Sequence, residues 1–199
     1  MGALEGLRTL GLDLWQKPPF CSVRRFFLYC SSPNAEFRPY GDGADRGGPN
    51  ADLTLLLRHH ARRFRDGACQ WWVDRSGTAE VLDPMTALIT EDDVKAVPPT
   101  DLAQTAVFRD VGWAAMHSDL AHPEQDTVLV FKGSPYGSIS HSHADQNSFS
   151  LLKGEKALAI PSGYYGPAYG QPHHADWTRQ TKANNSVLVN FRGQICREA

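Results

Sequence analysis

The chain reads as an α+β protein in which helices come first and antiparallel strands follow. Residues 1 to about 70 read as helical with long loops between the helices, and after a mixed stretch short β-prone runs separated by turns take over beyond Thr105. Between the two regimes stands Pro98-Pro99, a plausible linker because proline continues neither a helix nor a central strand. At 199 residues the chain suffices for one ordinary domain or pieces of two.

The opening stretch carries Leu4, Leu7, Leu10 and Leu12 and runs through Trp15 to Lys17-Pro18-Pro19, where a helix must stop. Val23 to Cys30, with Phe26-Phe27-Leu28-Tyr29 inside it, fits a buried helix or a short strand, and periodicity alone leaves both open. Pro33 to Asn50 is a Gly/Pro/Asp-rich loop. Asp52 then caps Leu53-Thr54-Leu55-Leu56-Leu57, and His59, His60, Arg62 and Arg63 follow towards the end where cations suit a helix dipole. From Ala68 to Thr100 the pattern is mixed, with Trp71-Trp72-Val73 and Ala87-Leu88-Ile89 as short apolar pieces.

The second half predicts strands at Ala106-Val107-Phe108, Val111 to Met116, Thr127 to Phe131, Phe149 to Leu152, Ala157 to Ile160 and Ser186 to Asn190. Several short strands with turns between them indicate an antiparallel sandwich or barrel. There is no internal repeat.

Composition excludes several classes of function. A net charge of -2 is not that of a nucleic-acid binder, which concentrates a basic excess on one face. No apolar run approaches the roughly 20 residues that span a bilayer, and the N-terminus lacks the pattern of a secretory signal. The cysteines Cys21, Cys30, Cys69 and Cys196 show no metal-ligand spacing; Cys21 and Cys30, nine apart, could bridge in an oxidising compartment, but the favoured reading is reduced, partly buried thiols. An opening run of leucines without partner helices, and an end shortly after a Gly-containing turn, lead us to expect a piece of a larger protein.

The chemistry concentrates in two clusters. His141-Ser142-His143-Ala144-Asp145-Gln146-Asn147 places two imidazoles, a carboxylate and two amides in seven residues at the mouth of a strand. Histidine can move a proton or, as a cation, pair with a carboxylate. Asn147 can donate to the same carboxylate or bond local backbone. His141, His143 and Asp145 could alternatively hold a metal, as in a hydrolase, although a closed site needs further ligands. The second cluster runs from Tyr164-Tyr165 through Tyr169 to His173-His174-Ala175-Asp176-Trp177-Thr178-Arg179. Amphipathic rings among glycines and prolines suit the C–H faces of a sugar, and Arg179 suits an anionic group that it can bind bidentately. Together the clusters predict a carbohydrate site. His59, His60, His117 and His122 read as surface or packing residues.

The ordered block from His141 to Phe149, Leu158-Ala-Ile-Pro-Ser-Gly-Tyr-Tyr, and His173-His174-Ala-Asp-Trp-Thr-Arg-Gln-Thr-Lys-Ala-Asn-Asn-Ser-Val-Leu-Val-Asn resembles the heparinase II/III-like polysaccharide lyases. The resemblance spans roughly residues 138 to 194 and is nearest to the branch with exo-type alginate and heparin lyases. It implies that residues 1–100 are the C-terminal end of an (α/α) toroid plus a linker. Residues 101–199 would be the start of an antiparallel β-sandwich, with a cleft between the two parts.

By the same resemblance the reaction is β-elimination on a uronate-containing polysaccharide, with an upstream His and Tyr as base and acid. His141 matches the histidine that reaches substrate from the β side. Candidate substrate contacts are Asn147, Tyr164, Tyr165, Tyr169, His173, His174, Trp177 and Arg179. His143 matches a position that binds zinc in some relatives, where the other ligands are an aspartate at the position of Pro161 and a histidine at that of Asn184. With both replaced, no cofactor is expected. The implied partner is an anionic polysaccharide or oligosaccharide, and the implied location is the periplasm or cell envelope. The alternative is a carbohydrate-binding β module without catalysis.

Overall fold

The computed structural model describes residues 2–34, 41, 51–76, 94–139, 141–162 and 169–196. The chain divides into two compact units, Met1–Asn34 with Gly48–Thr100, and Ala35–Gly47 with Asp101–Ala199.

The first unit is helical: α1 (Gly2–Thr9), α2 (Val23–Cys30), α3 (Ala51–Phe64) and α4 (Gly67–Arg75). The ambiguous Val23–Cys30 segment is therefore a helix, with Leu28, Tyr29 and Cys30 buried at its end. Trp71, Trp72 and Val73, expected only as an apolar piece, lie buried in α4. Ala87-Leu88-Ile89 lies outside the described residues. Asp66 starts α4 by accepting the Ala68 and Cys69 backbone N–H groups at 3.1 and 3.2 Å. Its other oxygen receives Arg24 Nε of α2 at 2.8 Å, so one carboxylate caps one helix and ties it to another. A cap of this kind stabilises by about 1 kcal/mol.

The core of the unit forms around Trp15, which stacks on His59 at 4.7 Å and meets His60 edge-on at 5.4 Å. Both histidines are packing residues, as their sequence context suggests. His60 spans the Leu56 and Phe20 carbonyls at 2.9 and 3.0 Å. Among the described residues His59 has no hydrogen-bond partner on either ring nitrogen, and Glu5 lies 3.6 Å away.

The second unit is built on one antiparallel sheet in sequential order: β1 (Thr105–Phe108), β2 (Trp113–His117), β3 (Thr127–Lys132), β4 (Ser148–Lys153) and β5 (Lys156–Ala159). The register pairs Trp113 with Lys132, Ala115 with Val130, Val130 with Ser150 and Lys132 with Ser148. Those residues line one buried face, on which Lys132 is the last position of β3. The opposite face exposes Val107, Met116, Phe149 and Leu158, so the sheet is apolar on both sides, as a layer of a larger stack is.

Among the described residues there is one sheet and not the two of a sandwich. The expected strand Ser186–Asn190 is not one of its members; Val189 and Arg192 instead form an isolated bridge. The cause is local. Asn190 and Phe191 have φ of 51° and 61°, the signature of a two-residue hairpin turn, and the chain doubles back there.

At the β2–β3 end of the sheet, Asp126 is buried and organises the connection. One oxygen accepts the Ser118 and Asp119 backbone N–H groups and the Ser118 hydroxyl at 2.8 to 3.0 Å; the other lies 2.5 Å from His117 Nδ1. Burial pushes this carboxyl up, but the bonds from His117, the Asp119 N–H and Ser118 outweigh it and hold it below its usual range. All four cysteines are free thiols. No helix among the described residues is long and apolar enough to cross a membrane.

His59 makes the helical unit sensitive to acid. Burial pushes its pKa down from 6.5 to about 4 against the pull of Glu5, so folding favours the neutral ring. The unfolded chain takes up this proton first, and stability that is complete above about pH 6.5 drains away as pH falls towards 4. The loss is on the order of 3 kcal/mol. Thermal unfolding across that window should show the decline, and His59→Phe, which keeps the ring stack, should lose that component.

Candidate functional site

The site forms on the connector between β3 and β4, residues 133–147, and on the irregular segment 169–196 that packs against it. His141 is exposed, and its ring centroid lies 5.2 Å from that of Tyr169. Tyr169 is 4.8 Å from the ring of His174, and His174 is 6.4 Å from that of His143. His143 and His174 are both buried; the Gly170 N–H donates to His174 Nδ1 at 3.1 Å. Residues 174–178 form one turn of π-helix, a wide turn that is frequent at functional sites.

Two cations lie beneath this surface. Arg179 is 5% exposed and donates from Nη2 to the carbonyls of Ser138 at 2.6 Å and Ser142 at 3.4 Å, with its guanidinium carbon 5.9 Å from the Tyr169 ring. Its Nε is buried without a hydrogen-bond partner, and no carboxylate pairs with it among the described residues. Lys132 is also buried but is neutralised: Nζ sits 2.5 Å from Asp145 Oδ1 and donates to Ser142 Oγ at 2.9 Å. The connector is thus held from below at Ser138, Ser142 and Asp145, and His141 stands above these attachments.

Further bonds fix the last part of the connector. The Ala144 N–H donates to the Arg179 carbonyl at 2.8 Å, and Thr181 Oγ1 donates to the Ala144 carbonyl at 2.5 Å. Gly41 comes against the His141 backbone with φ +39°, and a Cβ there would overlap the His141 carbonyl oxygen. Glycine is required at that point on both counts.

The predicted residues are thus placed as follows. His141, Tyr169, His174, His143 and Arg179 come together in one patch. His173 is exposed at the start of the π turn, and Trp177 is half-exposed on it, donating Nε1–H to Ser162 Oγ at 2.8 Å, with Lys182 Nζ 5.4 Å from its ring. Asn147 is exposed with φ 59° and lines a groove of about 760 Å³ with Gln146, Ser186, Val187, Asn190 and Arg192. His141 does not line that groove. Tyr164 and Tyr165 lie outside the described residues. Sequence reasoning missed Lys132, Thr181, Gln194 and Gly41. Only Lys132 offered a signal, as a cation directly following the apolar run Thr127–Phe131.

Among the described residues the donor set around His143 does not make up a zinc site. Pro161 has no side-chain donor; Asn184 donates Nδ2–H to the Gln180 carbonyl at 2.8 Å, and its Oδ1 is buried without a hydrogen-bond partner among the described residues. Asp145 is committed to Lys132. No group of three or more His, Cys, Asp or Glu side chains suited to a metal occurs among the described residues, whereas zinc takes at least three protein ligands.

Residues 100–198 match the family model described as heparinase II/III-like, C-terminal. The chain belongs to the heparinase II/III-like family. Solved structures show the same fold. The chain is similar to heparan sulfate lyase HepC from Pedobacter heparinus, with 15% identity and a TM-score of 0.63 over 96% of this chain and 27% of that one. It is similar also to a heparinase III, at 15% identity and TM-score 0.61, covering 96% and 29% of the two chains. A third match is the heparinase III BT4657 gene product, at 17% identity and TM-score 0.56, covering 84% and 23%. The chain therefore spans about a quarter of the length of these family structures. No curated protein sequence matches it.

Removing one member of the buried ion pair leaves the other uncompensated, which costs about 3 to 5 kcal/mol. Lys132→Met should lower the denaturant midpoint accordingly, and adding Asp145→Asn should restore part of the loss. An unchanged midpoint in the single variant would show that the pair does not brace the connector.

Proposed function

We propose that this chain is part of a polysaccharide lyase that cleaves a uronate-containing polymer by β-elimination. The observation that carries the proposal is the buried guanidinium of Arg179, which pairs with no carboxylate among the described residues, beneath an exposed imidazole and a half-exposed tyrosine ring. A buried cation whose partners among the described residues are carbonyl groups projects its field to the surface above it, and that field favours an anion there. Tyr169 supplies an apolar ring face beside the same point, so an acidic sugar satisfies both requirements.

In this reading His141 meets the uronate carboxylate and, with the field of Arg179, withdraws charge from it. Neutralising the carboxylate weakens the C5–H bond. A base takes the C5 proton, its electron pair forms the C4–C5 double bond, and the C4–O bond breaks with the leaving oxygen taking a proton. No water and no redox partner enter. Arg179 acts through its field and its grip on the Ser138 and Ser142 carbonyls. Tyr169 contacts the sugar, with Tyr164, Tyr165, His173, Trp177 and Asn147 as further contacts, while the buried His174 backs the Tyr169 ring from within.

We place helices α1 to α4 at the closing end of an (α/α) toroid, and the sheet as the first layer of the β-sandwich. Exo-type action on alginate or heparan, and a periplasmic or cell-envelope location, belong to the same reading through the family. In this reading the site works without a resident metal, because Pro161 offers no ligand and Asp145 is committed to Lys132. Full-length enzyme should keep its turnover after chelation, and stoichiometric zinc lost together with activity would overturn this point.

The full-length protein given alginate or heparan sulfate oligosaccharides should produce the ultraviolet band of an unsaturated uronate. His141→Ala should reduce turnover by about a hundredfold or more while leaving the unfolding midpoint within experimental error. Oligosaccharide binding by calorimetry without any unsaturated product would replace the lyase with a carbohydrate-binding module.

A further inference from the structure

The amide side chain of Gln194 does something unusual for a residue outside any strand. Its Oε1 accepts the Gln146 backbone N–H at 2.9 Å, and its Nε2 donates to the Gln146 carbonyl at 2.6 Å. A primary amide offers one acceptor and one donor in the same relation as a peptide group. Gln194 therefore satisfies Gln146 as a neighbouring β-strand would, although no strand runs beside it there. The Gln194 backbone N–H donates in turn to Thr181 Oγ1 at 2.8 Å, and that hydroxyl donates to the Ala144 carbonyl at 2.5 Å. Ser186 Oγ adds a second bond to the Gln146 carbonyl at 3.1 Å.

The spacing between these groups is tight. A Cβ on Gly193 would lie 2.8 Å from Thr181 Oγ1 and 2.9 Å from its Cβ, so the hairpin presses against the hydroxyl that relays the bond. The hairpin turns at Asn190-Phe191 and returns through Arg192 to Gln194. That return is what brings Gln194 back to the connector. The residues it grips, Ala144 and Gln146, lie between His141 and Asn147, where the chain enters β4 through a left-handed residue.

We infer that Gln194 is a positioning residue, which holds the His141–Asn147 segment in register through a side-chain copy of a β-bridge and through Thr181. Arg179 and Lys132 hold the segment from Ser138 to Asp145; Gln194 holds the part that follows. The hairpin formed where a strand was expected thus serves as the outer clamp of the site. The kinetic part of this inference rests on the lyase reading, whereas its structural part stands alone.

The test uses the full-length protein with Gln194→Met, which keeps length and removes both bonds, and Thr181→Val, which keeps shape and removes the relay. Amide exchange should accelerate at Gln146 by at least about tenfold in Gln194→Met. With uronate oligosaccharide as substrate, both variants should lose about tenfold in kcat with KM within about twofold, as for a displaced catalytic group with intact binding. Asp126→Asn, at the other end of the sheet, should lower stability and leave kcat unchanged. Exchange at Gln146 like that of the parent protein overturns the clamp. Faster exchange with unaltered kcat overturns the positioning role. A parent protein that makes no unsaturated product removes the lyase reading, and the exchange rates still decide whether the clamp exists.

Discussion

Arg179 reaches from the end of the π turn to the carbonyls of Ser138 and Ser142, and the connector between β3 and β4 takes its shape from that reach. The guanidinium is planar and rigid, with its donors set in a fixed fork. It joins two points of the connector on either side of His141 to one atom of a neighbouring segment. His141 stands between those two points, 5.2 Å from the Tyr169 ring that Arg179 also approaches.

The contrast with Lys132 explains how two buried cations can have different uses. Lys132 is matched by Asp145 and packs near the Trp113 ring, so its charge is cancelled locally and its work is mechanical. Arg179 meets carbonyl dipoles and an aromatic face but no carboxylate among the described residues. Carbonyl bonds satisfy some of its donors without cancelling its net charge. Burial of such a group costs stability, and an anionic ligand recovers part of that cost.

Much of the fold was legible because period-two patterns and turns are local properties. Strands around Val107, Val130, Leu151 and Leu158 needed only β-prone residues between turn residues. Ser186 to Asn190 misled because its composition is equally β-prone, while the left-handed Asn190-Phe191 pair that folds it back is unusual for phenylalanine. Helix α4 escaped because Trp71-Trp72-Val73 buries three successive residues, and this hides the period of the helix. In the site, His141, Tyr169, His174 and Arg179 stood out through the density of polar and aromatic groups. Their supports did not. Thr181 and Gln194 act on backbone carbonyls and N–H groups, which every residue carries, so nothing in the sequence marks which of them will be gripped.

The most direct measurement is a crystal structure of the full-length protein with a bound uronate oligosaccharide. The account predicts a sugar carboxylate within hydrogen-bonding distance of the His141 imidazole, with its ring against Tyr169 and Arg179 still on the Ser138 and Ser142 carbonyls. A carboxylate bound elsewhere, with His141 and Tyr169 left to solvent, would contradict it.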